Sequence, residues 1–420
     1  MDLLALLPPF PKPGKHHVLL VVVSAVAASA TTAAILLVFS QRRSKFKRTL
    51  GNKCGNRESG YAALIGNTPL IELTSLSRAT ECRVLAKVEY LNPGGTSKDR
   101  VALRMIQEAE KACLLHPGST VIEGTSGSTG IALASLCRAR GYRCLIVMPD
   151  DQAAEKAHLL KQFGAEVEIV KPASIANPNH YCNRARARAE ELGDEAVFMD
   201  QFETMANFRA HYEGTGPEMW EQVVAGYGAR PDAFVMSAGT GGTLAGVSRA
   251  WKEREEKVQV FLVDPPGSSL YHKVKHGVCY STAQRERGVR RHRYDSLAEG
   301  IGLDRLTANF GKARIDEAFH VSDQEAVDMA HFLLQAEGIF VGSSTAMNLV
   351  GCVRAARVLG PGHTVVTVLC DSGQRHLTRF WNRRVVEGAE LKWPETPPVN
   401  LNFLQKNGPG DKEDLREGGH

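Results

Sequence analysis

A regular alternation of short apolar segments with longer amphipathic segments constrains the fold of this chain more than any other feature. It runs from about residue 61 to about residue 385. Short apolar segments of the kind that form buried strands occur at 121–122, 144–148, 167–170, 234–237, 260–263 and 365–369. Segments with helical periodicity occur at 131–140, 155–163, 243–254 and 323–335. Strands that alternate with helices form parallel sheets with helices on both faces, so the sequence predicts an α/β fold.

Composition excludes several classes of function. The chain has 420 residues, of which 43% are hydrophobic and 23% are charged, as in ordinary globular proteins. Its net charge is only +5, and no nucleic-acid-binding motif accompanies the basic residues at 42–48 and 285–293. The nine cysteines include no Cys-x-x-Cys pair, and the 14 histidines show no metal-ligand spacing. We therefore expect no nucleic-acid partner, no disulfide framework and no metal site.

An uncharged apolar segment at residues 18–39 stands apart from the alternating region. As a helix it would be about 33 Å long, which matches the roughly 30 Å hydrocarbon core of a bilayer. A cleaved signal peptide has a shorter apolar region, and the basic residues at both ends are unlike those of a buried core helix. The sequence therefore predicts a single-pass transmembrane anchor at 18–39, between a tail at 1–17 and a basic linker at 40–60.

Charge and composition also divide the rest of the chain. Basic residues are more numerous after the apolar segment than before it, which predicts that the C-terminal part faces the cytosol. Residues 61–390 form the predicted catalytic domain, which a basic loop at 276–293 interrupts. Residues 391–420 form a tail that we expect to be disordered, because it becomes rich in Asn, Gly, Lys and Glu.

Two glycine-rich segments follow predicted strands and begin predicted helices. They are EGTSGSTG at 123–130 and GTGGT at 239–243. Both place backbone N–H groups and hydroxyls at a helix N-terminus, where the helix dipole stabilises an anion. Neither matches G-x-G-x-x-G or a Walker loop, so dinucleotide and ATP binding are poorly supported. Each segment suits a phosphate or a carboxylate, although an ordinary tight turn would also account for either one alone.

Lys98 lies near the end of a third glycine-containing segment, NPGGTSKDR at 92–100. A single lysine is usually solvated. This one lies between a glycine turn and a predicted helix start, where the helix dipole disfavours a cation. With partial burial, that setting lowers the pKa of an amine and frees it to act as a nucleophile.

In this order, the segments resemble the cysteine synthase and cystathionine β-synthase family of pyridoxal-phosphate (PLP) enzymes. The resemblance covers about residues 61–385. It rests on GNTPL (66–70), NPGGTSKDR (92–100), GTSGSTG (124–130), DQFETMANFRAHYEGTGPE (200–218), GTGGT (239–243), EGIG (299–302) and DSG (371–373). The layout of an apolar N-terminal segment and this domain is similar to fungal mitochondrial cysteine synthase-like proteins. That likeness implies an anchor in the mitochondrial outer membrane, with the endoplasmic reticulum as the alternative.

The resemblance implies an architecture and the roles of individual residues. The fold would be the two-lobed fold type II of tryptophan synthase β-like enzymes, usually a homodimer, with a smaller lobe at about 101–210 and a larger lobe at 61–100 plus 211–390. Lys98 would bind PLP covalently and then remove the substrate α-proton, Ser128 would lie near the ring hydroxyl, and Ser372 would face the pyridine nitrogen. The cofactor phosphate would contact Gly239, Thr240, Gly241, Gly242 and Thr243. The substrate would contact Thr125, Ser126, Gly127, Thr129, Gln201 and Gly300.

The choice of Ser372 over its neighbour Asp371 has a physical basis. A hydroxyl opposite the pyridine nitrogen stabilises a charged ring less than a carboxylate does, which favours β-elimination over transamination. Neighbouring residues at the end of a strand point to opposite sides, so only one of the two can face the ring.

The expected reaction is β-replacement, in which O-acetyl-L-serine loses acetate and sulfide adds to give L-cysteine. Three alternatives stay open. The first is cystathionine β-synthase activity, and the second is serine or threonine dehydratase or cysteine desulfhydrase activity. The third is a catalytically impaired membrane-bound binding protein that holds a partner such as serine acetyltransferase.

Four positions in three segments depart from the pattern of the family that the chain resembles. Position 128 is Ser where Asn is usual, position 345 is Thr where Gly is usual, and Gln374-Arg375-His376 replaces Glu-Arg-Tyr. These changes leave the predicted cofactor site complete, but they put the usual amino-acid donor and thiol acceptor in doubt.

Overall fold

The computed structural model describes residues 59–281 and 296–404. Most of its strands are short, and each follows or precedes a helix. The strands are β1 (Leu70–Glu72), β2 (Arg83–Val88), β3 (Thr120–Gly124), β4 (Arg143–Pro149), β5 (Glu166–Val170), β6 (Ala196–Phe198), β7 (Ala233–Ser237), β8 (Gln259–Asp264), β9 (Glu317–His320) and β10 (Thr364–Leu369).

The α-helices alternate with these strands along most of the chain. They are α1 (Thr74–Thr80), α2 (Lys98–Lys111), α3 (Ser128–Arg140), α4 (Ala154–Gln162), α5 (Tyr181–Leu192), α6 (Met205–Arg209), α7 (Gly216–Tyr227), α8 (Gly242–Lys252), α9 (Leu270–His276), α10 (Asp323–Glu337), α11 (Ser343–Leu359) and α12 (Arg383–Gly388). A π-helix at Ala210–Thr215 joins α6 to α7, and short 3-10 helices occur at Gly60–Leu64, Glu89–Leu91, Gly193–Glu195, Phe310–Lys312 and Gly373–Arg375.

The larger sheet has six strands in the order β1-β2-β10-β7-β8-β9. All neighbours are parallel except β1, which pairs antiparallel with β2. All six residues of β10 are buried, because helices cover both faces of the sheet at this central strand. The smaller sheet has four parallel strands in the order β5-β4-β3-β6.

The predicted α/β fold with parallel sheets is confirmed, and the six predicted apolar segments all lie in strands. The four predicted helices also form, within a few residues of their expected ends. Helix α10 begins where a capping box fixes it: Ser322 Oγ accepts from the Glu325 N–H at 3.3 Å, and the Glu325 carboxylate accepts from the Ser322 N–H at 3.0 Å. Helix α3 ends at Gly141, which takes the left-handed conformation with φ of 77°.

The segment that follows α12 packs against the larger sheet's core. Leu401 and Leu404 are buried there, and the Trp393 ring lies 4.7 Å from that of His331. These residues belong to the range 391–420 in which we expect disorder. Residues 405–420 lie outside the described residues.

The membrane localisation is the expectation that the findings contradict. Among residues 59–281 and 296–404, no helix has both the length and the apolar character needed to cross a bilayer. The expected anchor at 18–39 itself lies outside the described residues, as do the tail at 1–17, most of the linker at 40–60 and most of the basic loop at 276–293. The localisation is therefore corrected, since the part of the chain that the structure describes contains no spanning helix to support it.

Candidate active site

One cavity is lined by residues that follow the carboxyl ends of strands in both sheets. In parallel α/β sheets this is the edge at which ligands usually bind, because the loops and helix N-termini converge there. The predicted site residues in its lining are Lys98, Thr125, Ser126, Ser128, Thr129, Gln201, Gly239, Thr240, Gly241, Thr243 and Gly300. The structure thus brings together motifs that lie far apart in the sequence. Gly127, Gly242 and Ser372 are not in the lining.

Lys98 is the first residue of α2, and it lines the cavity. Burial lowers the pKa of its amine, although the nearby Cys370 and Asp371 oppose the shift. The end of β10 fixes this helix start, because the Ser97 N–H donates to the Cys370 carbonyl at 3.3 Å. A lysine whose charged form is disfavoured by burial is a suitable nucleophile and base.

The loop from Gly239 to Thr243 approaches neighbouring backbone so closely that side chains do not fit. Gly241 has φ of 84°, and a Cβ there would lie 2.6 Å from the Phe310 Cα. A Cβ on Gly239 would overlap the Gly300 carbonyl oxygen. The loop leads into α8, an 11-residue helix, whose N-terminus therefore adjoins the cavity. This arrangement suits an anion, because backbone N–H groups and the helix dipole act together.

A second loop, at residues 124–130, is held in shape by its own hydrogen bonds. The Gly127 N–H donates to Thr125 Oγ1 at 3.1 Å. Gln201 closes the loop, since Thr129 Oγ1 donates to its Oε1 at 2.6 Å and its Nε2 donates to the Gly124 carbonyl at 3.0 Å. Gly127 packs against α4, where a Cβ would lie 2.6 Å from the Lys156 Cδ.

Ser126 and Ser128 line the cavity without a hydrogen bond from their hydroxyls to any described residue. Their neighbour Thr129, in contrast, has its hydroxyl committed to Gln201. Ser128 is also the first residue of α3. These two hydroxyls are therefore free to contact a bound molecule.

The DSG segment has an arrangement that the sequence did not predict. Asp371 lines the cavity but Ser372 does not. Ser372 Oγ accepts from the Gln374 N–H at 3.3 Å and thereby begins a 3-10 helix. The assignment of Ser372 to the pyridine nitrogen stays a prediction.

The departures from the family pattern lie mainly behind the cavity. Thr345 is fully buried and its Oγ1 accepts from the Cys370 N–H at 2.9 Å, so it supports the end of β10. His376 is buried and contacts Asp371, whereas Gln374 is exposed. Of the departing positions, Ser128 is the one that lines the cavity.

A buried chain of charged side chains lies against the same cavity, and the sequence did not predict it. Glu299 Oε1 accepts from Lys156 Nζ at 3.0 Å, and its Oε2 contacts His376 Nδ1 at 2.6 Å. His376 Nε2 then contacts Asp371 Oδ2 at 3.0 Å. The side chains of Lys156, Glu299 and His376 are at most 3% exposed. The sequence offered one indication of this chain: Glu299 is the first residue of the EGIG motif, and His376 lies three residues after the DSG motif.

The residues present fit PLP, the group that the resemblance implies. Lys98 supplies an amine whose charged form burial disfavours, in the same cavity as the glycine loop. That loop leaves no room for side chains at Gly239 and Gly241, so its backbone can approach an anion closely. An aldehyde that carries a phosphate meets both requirements.

Comparison with known proteins agrees with this geometry. A model of the family described as "Pyridoxal-phosphate dependent enzyme" matches residues 61–371. The chain is 46% identical to "Cysteine synthase 2" of Schizosaccharomyces pombe, over 83% of this chain and 89% of the relative. It is 51% identical to "Cysteine synthase 2" of Neurospora crassa, over 77% of this chain and 73% of the relative.

A solved structure supports the same family. An O-acetylserine dependent cystathionine beta-synthase from Helicobacter pylori superposes with a TM-score of 0.65 at 28% identity. The match covers 77% of this chain and 99% of that structure. The family match spans both glycine-rich loops, Lys98 and the end of β10, which are the elements that form the cavity. The chain is therefore a member of the pyridoxal-phosphate dependent enzyme family.

Proposed function

We propose that this protein is a cysteine synthase, which converts O-acetyl-L-serine and sulfide to L-cysteine and acetate. The observation that carries the proposal is the position of Lys98 in one cavity with two separate glycine-containing loops that each suit an anion. One loop would hold the cofactor phosphate and the other the substrate carboxylate. The relatives named cysteine synthase support the reaction, since they are 46–51% identical over most of the chain.

The cofactor would be held at two ends. The loop from Gly239 to Thr243 would bind its phosphate through backbone N–H groups and hydroxyls, and Lys98 Nζ would hold its aldehyde carbon. Ser128 would lie near the ring hydroxyl, and Ser372 near the pyridine nitrogen. When bound, PLP supplies an electron sink for the bond broken at the substrate α-carbon.

Lys98 would also carry the proton that the reaction moves. Once the incoming amino acid has displaced its amine from the cofactor, Lys98 Nζ would accept the α-proton. Burial favours the neutral amine, which is the form that can accept it. The C–O bond to acetate would then break at the β-carbon, and acetate would leave with the electron pair. Sulfide would form the C–S bond at the same carbon, and Lys98 would return the proton to the α-carbon.

Thr125, Ser126, Gly127 and Thr129 would orient the substrate by its carboxylate, and Gly300 would line the cleft opposite them. Gln201 would act mainly by holding this loop in shape, because its amide is already bonded to Thr129 and Gly124. A free Ser126 hydroxyl is available for a carboxylate oxygen. A fixed loop lowers the entropy lost when the substrate binds.

The two-lobed arrangement and the quaternary structure belong to the same proposal. We infer a smaller lobe at about 101–210 and a larger lobe at 61–100 plus 211–390, with the cofactor between them. A homodimer is the expected assembly, and serine acetyltransferase is a candidate partner because it produces the donor substrate.

A substrate panel with the full chain tests the proposed reaction. O-Acetylserine, serine and cysteine are each offered with sulfide, with homocysteine and with neither, and cysteine, cystathionine, pyruvate and sulfide are measured. We expect the fastest turnover with O-acetylserine and sulfide. Faster formation of cystathionine would support cystathionine β-synthase activity instead, and pyruvate or sulfide release from serine or cysteine would support a dehydratase or desulfhydrase.

A further inference from the structure

Side chains of one helical segment contact both threonine hydroxyls of the loop at 239–243, on the side away from the cavity. Thr240 Oγ1 lies 2.8 Å from Asn207 Nδ2, and Thr243 Oγ1 lies 3.1 Å from His211 Nε2. Asn207 and His211 are fully buried, and neither lines the cavity. They lie four residues apart, a spacing that places two side chains on the same face of a helix.

Asn207 can only donate to Thr240. Its Nδ2 also lies 2.9 Å from the Gln201 carbonyl oxygen, which accepts and never donates. This contact fixes the amide orientation, with the NH2 group directed at both oxygens. Thr240 Oγ1 therefore accepts from Asn207, and its own hydrogen is left for another acceptor.

His211 can likewise donate a hydrogen bond to the Thr243 hydroxyl. Burial lowers the pKa of His211 well below its ordinary value, and the nearby Lys98 and Arg100 lower it further, so the imidazole is neutral and carries one N–H. Its Nδ1 lies 2.9 Å from Thr215 Oγ1. With the proton on Nε2, His211 donates to Thr243, and Nδ1 accepts from the Thr215 hydroxyl. The hydrogen of Thr243 is then also left for another acceptor.

A phosphate dianion requires this direction of hydrogen bonding. Its oxygens accept hydrogen bonds, so a threonine helps to bind it only when the hydroxyl hydrogen is directed at the anion. A group behind each threonine that accepts would draw the hydrogen away. A group that donates leaves the hydrogen for the phosphate and polarises the hydroxyl.

The helical segment that carries Asn207 and His211 packs closely against α8. Helix α6, the π-helix and α7 run on without a break, because the residues at both junctions keep helical φ and ψ. A Cβ on Gly246 would lie 2.5 Å from the His211 Cβ, and a Cβ on Gly242 would overlap the Asn207 Oδ1. The glycines of α8 thus allow the two helices to touch where the supports meet the loop. Short π-segments frequently occur at functional sites.

We propose that Asn207 and His211 are positioning residues that turn the Thr240 and Thr243 hydroxyl hydrogens toward the cofactor phosphate. This inference rests on the proposed function, because it requires a phosphate in the glycine loop. It assigns a role to the middle of the segment at 200–218, of which the proposed function uses only Gln201.

Binding of PLP and of pyridoxal to the apoprotein tests this role, since pyridoxal lacks the phosphate. The variants are N207L, which keeps the side-chain shape, and H211F, which keeps a ring but removes both nitrogens. H211Q is the conservative rescue, because its amide can still donate to Thr243. The matched control is H331F, which replaces another buried histidine that contacts the Val327 carbonyl and is not part of the cavity lining.

We expect N207L and H211F each to lose about tenfold or more in affinity for PLP and less than about twofold for pyridoxal, because a hydrogen bond to an anion is among the stronger ones. H211Q recovers most of the PLP affinity, and H331F changes neither ligand's affinity selectively. The 31P resonance of bound PLP should shift in H211F and lie close to the wild-type position in H211Q. N207L tests the inference independently if H211F does not fold.

Two results would overturn the inference in distinguishable ways. If the wild type binds PLP no more tightly than pyridoxal, the glycine loop does not bind the phosphate and the proposed function fails with the inference. If the wild type prefers PLP but N207L and H211F weaken both ligands equally, the supports have only a structural role and the inference alone fails.

Discussion

Replacing His376 with glutamine should remove a pH-dependent part of the stability of this protein. Its side chain is 2% exposed and lies between the carboxylates of Glu299 and Asp371. Burial alone would lower the pKa of this imidazole, but the two carboxylates outweigh burial and raise it to about 9. Because this exceeds the ordinary value of 6.5, the stabilisation is fully present below about pH 6.5 and is lost as the pH rises through about 9.

The loss of stability in H376Q can be estimated from the pKa shift of His376 and from the charged groups that remain in the variant. A rise from 6.5 to about 9 corresponds to roughly 3 kcal/mol, at about 1.4 kcal/mol for each pKa unit. Removing the cation also leaves two buried carboxylates with Lys156 as their nearest compensating charge, and breaking a buried pair typically costs about 3–5 kcal/mol. We expect H376Q to be less stable than the wild type by about 3 kcal/mol or more at pH 6, and the difference to shrink toward pH 10.

Urea unfolding, followed by tryptophan fluorescence between pH 6 and pH 10, measures this difference. Wild type and H376Q are compared at equal cofactor content, and the midpoints are converted with the slope for each protein. H363Q is the matched control, since His363 contacts a backbone carbonyl and no carboxylate. A difference between H376Q and the wild type that stays constant from pH 6 to pH 10 would refute the reasoning, because it would mean that His376 is neutral in the folded protein.

Three further changes test the cofactor and substrate sites. K98A should abolish turnover and covalent attachment of the cofactor, and borohydride reduction followed by mass spectrometry should find no pyridoxyl group at the active site; normal turnover would contradict the assignment of Lys98. S128N should leave PLP content unchanged and raise cysteine formation from O-acetylserine about two- to twelve-fold, the worth of one hydrogen bond to the ring hydroxyl; equal rates would indicate that the loop tolerates either residue. G241A should destabilise the fold by about 2 kcal/mol or more, because alanine at φ of 84° is strained and its Cβ would lie 2.6 Å from the Phe310 Cα; unchanged thermal unfolding and PLP affinity would contradict the close approach of this loop.

The sequence predicted those parts of the fold that have a strong local pattern. Five of the six predicted strands are largely buried and have two neighbours in a sheet, so their apolar residues are nearly continuous. The sixth, β5, lies at a sheet edge and is partly exposed. Strands β1, β2, β6 and β9 were not among the predicted strands. β1, β6 and β9 are three or four residues long and lie at sheet edges, and so few residues cannot show the alternation of a strand. β2 has six residues and lies inside the larger sheet, so its length does not explain the omission. The cap at Ser322 and the glycine at position 141 set helix ends that local chemistry makes recognisable.

The site was predictable where motif residues face the cavity and not where other residues support them. Lys98 and the glycine loops are contiguous segments whose chemistry is visible in the sequence. Lys156 reaches Glu299 across 143 residues, a contact that depends on the packing of the two sheets' helices and loops. Thr243 was predicted to contact the cofactor phosphate, but no sequence pattern indicated that His211, one of 14 histidines, would contact its hydroxyl.

The position of β10 determines when during synthesis this protein can acquire its cofactor. β10 is the last strand in the described part of the chain, yet it is inserted between β2 and β7 at the middle of the larger sheet. Until it is made, β2 and β7 each lack the neighbour on one side, and Lys98 lacks Cys370 and Asp371 beside it. Between the synthesis of β7 and that of β10, a nascent chain therefore exposes one unpaired strand edge on β2 and one on β7, and contacts of such high sequence separation form slowly. The cofactor site can therefore be completed only after β10 has been made, late in the synthesis of the chain.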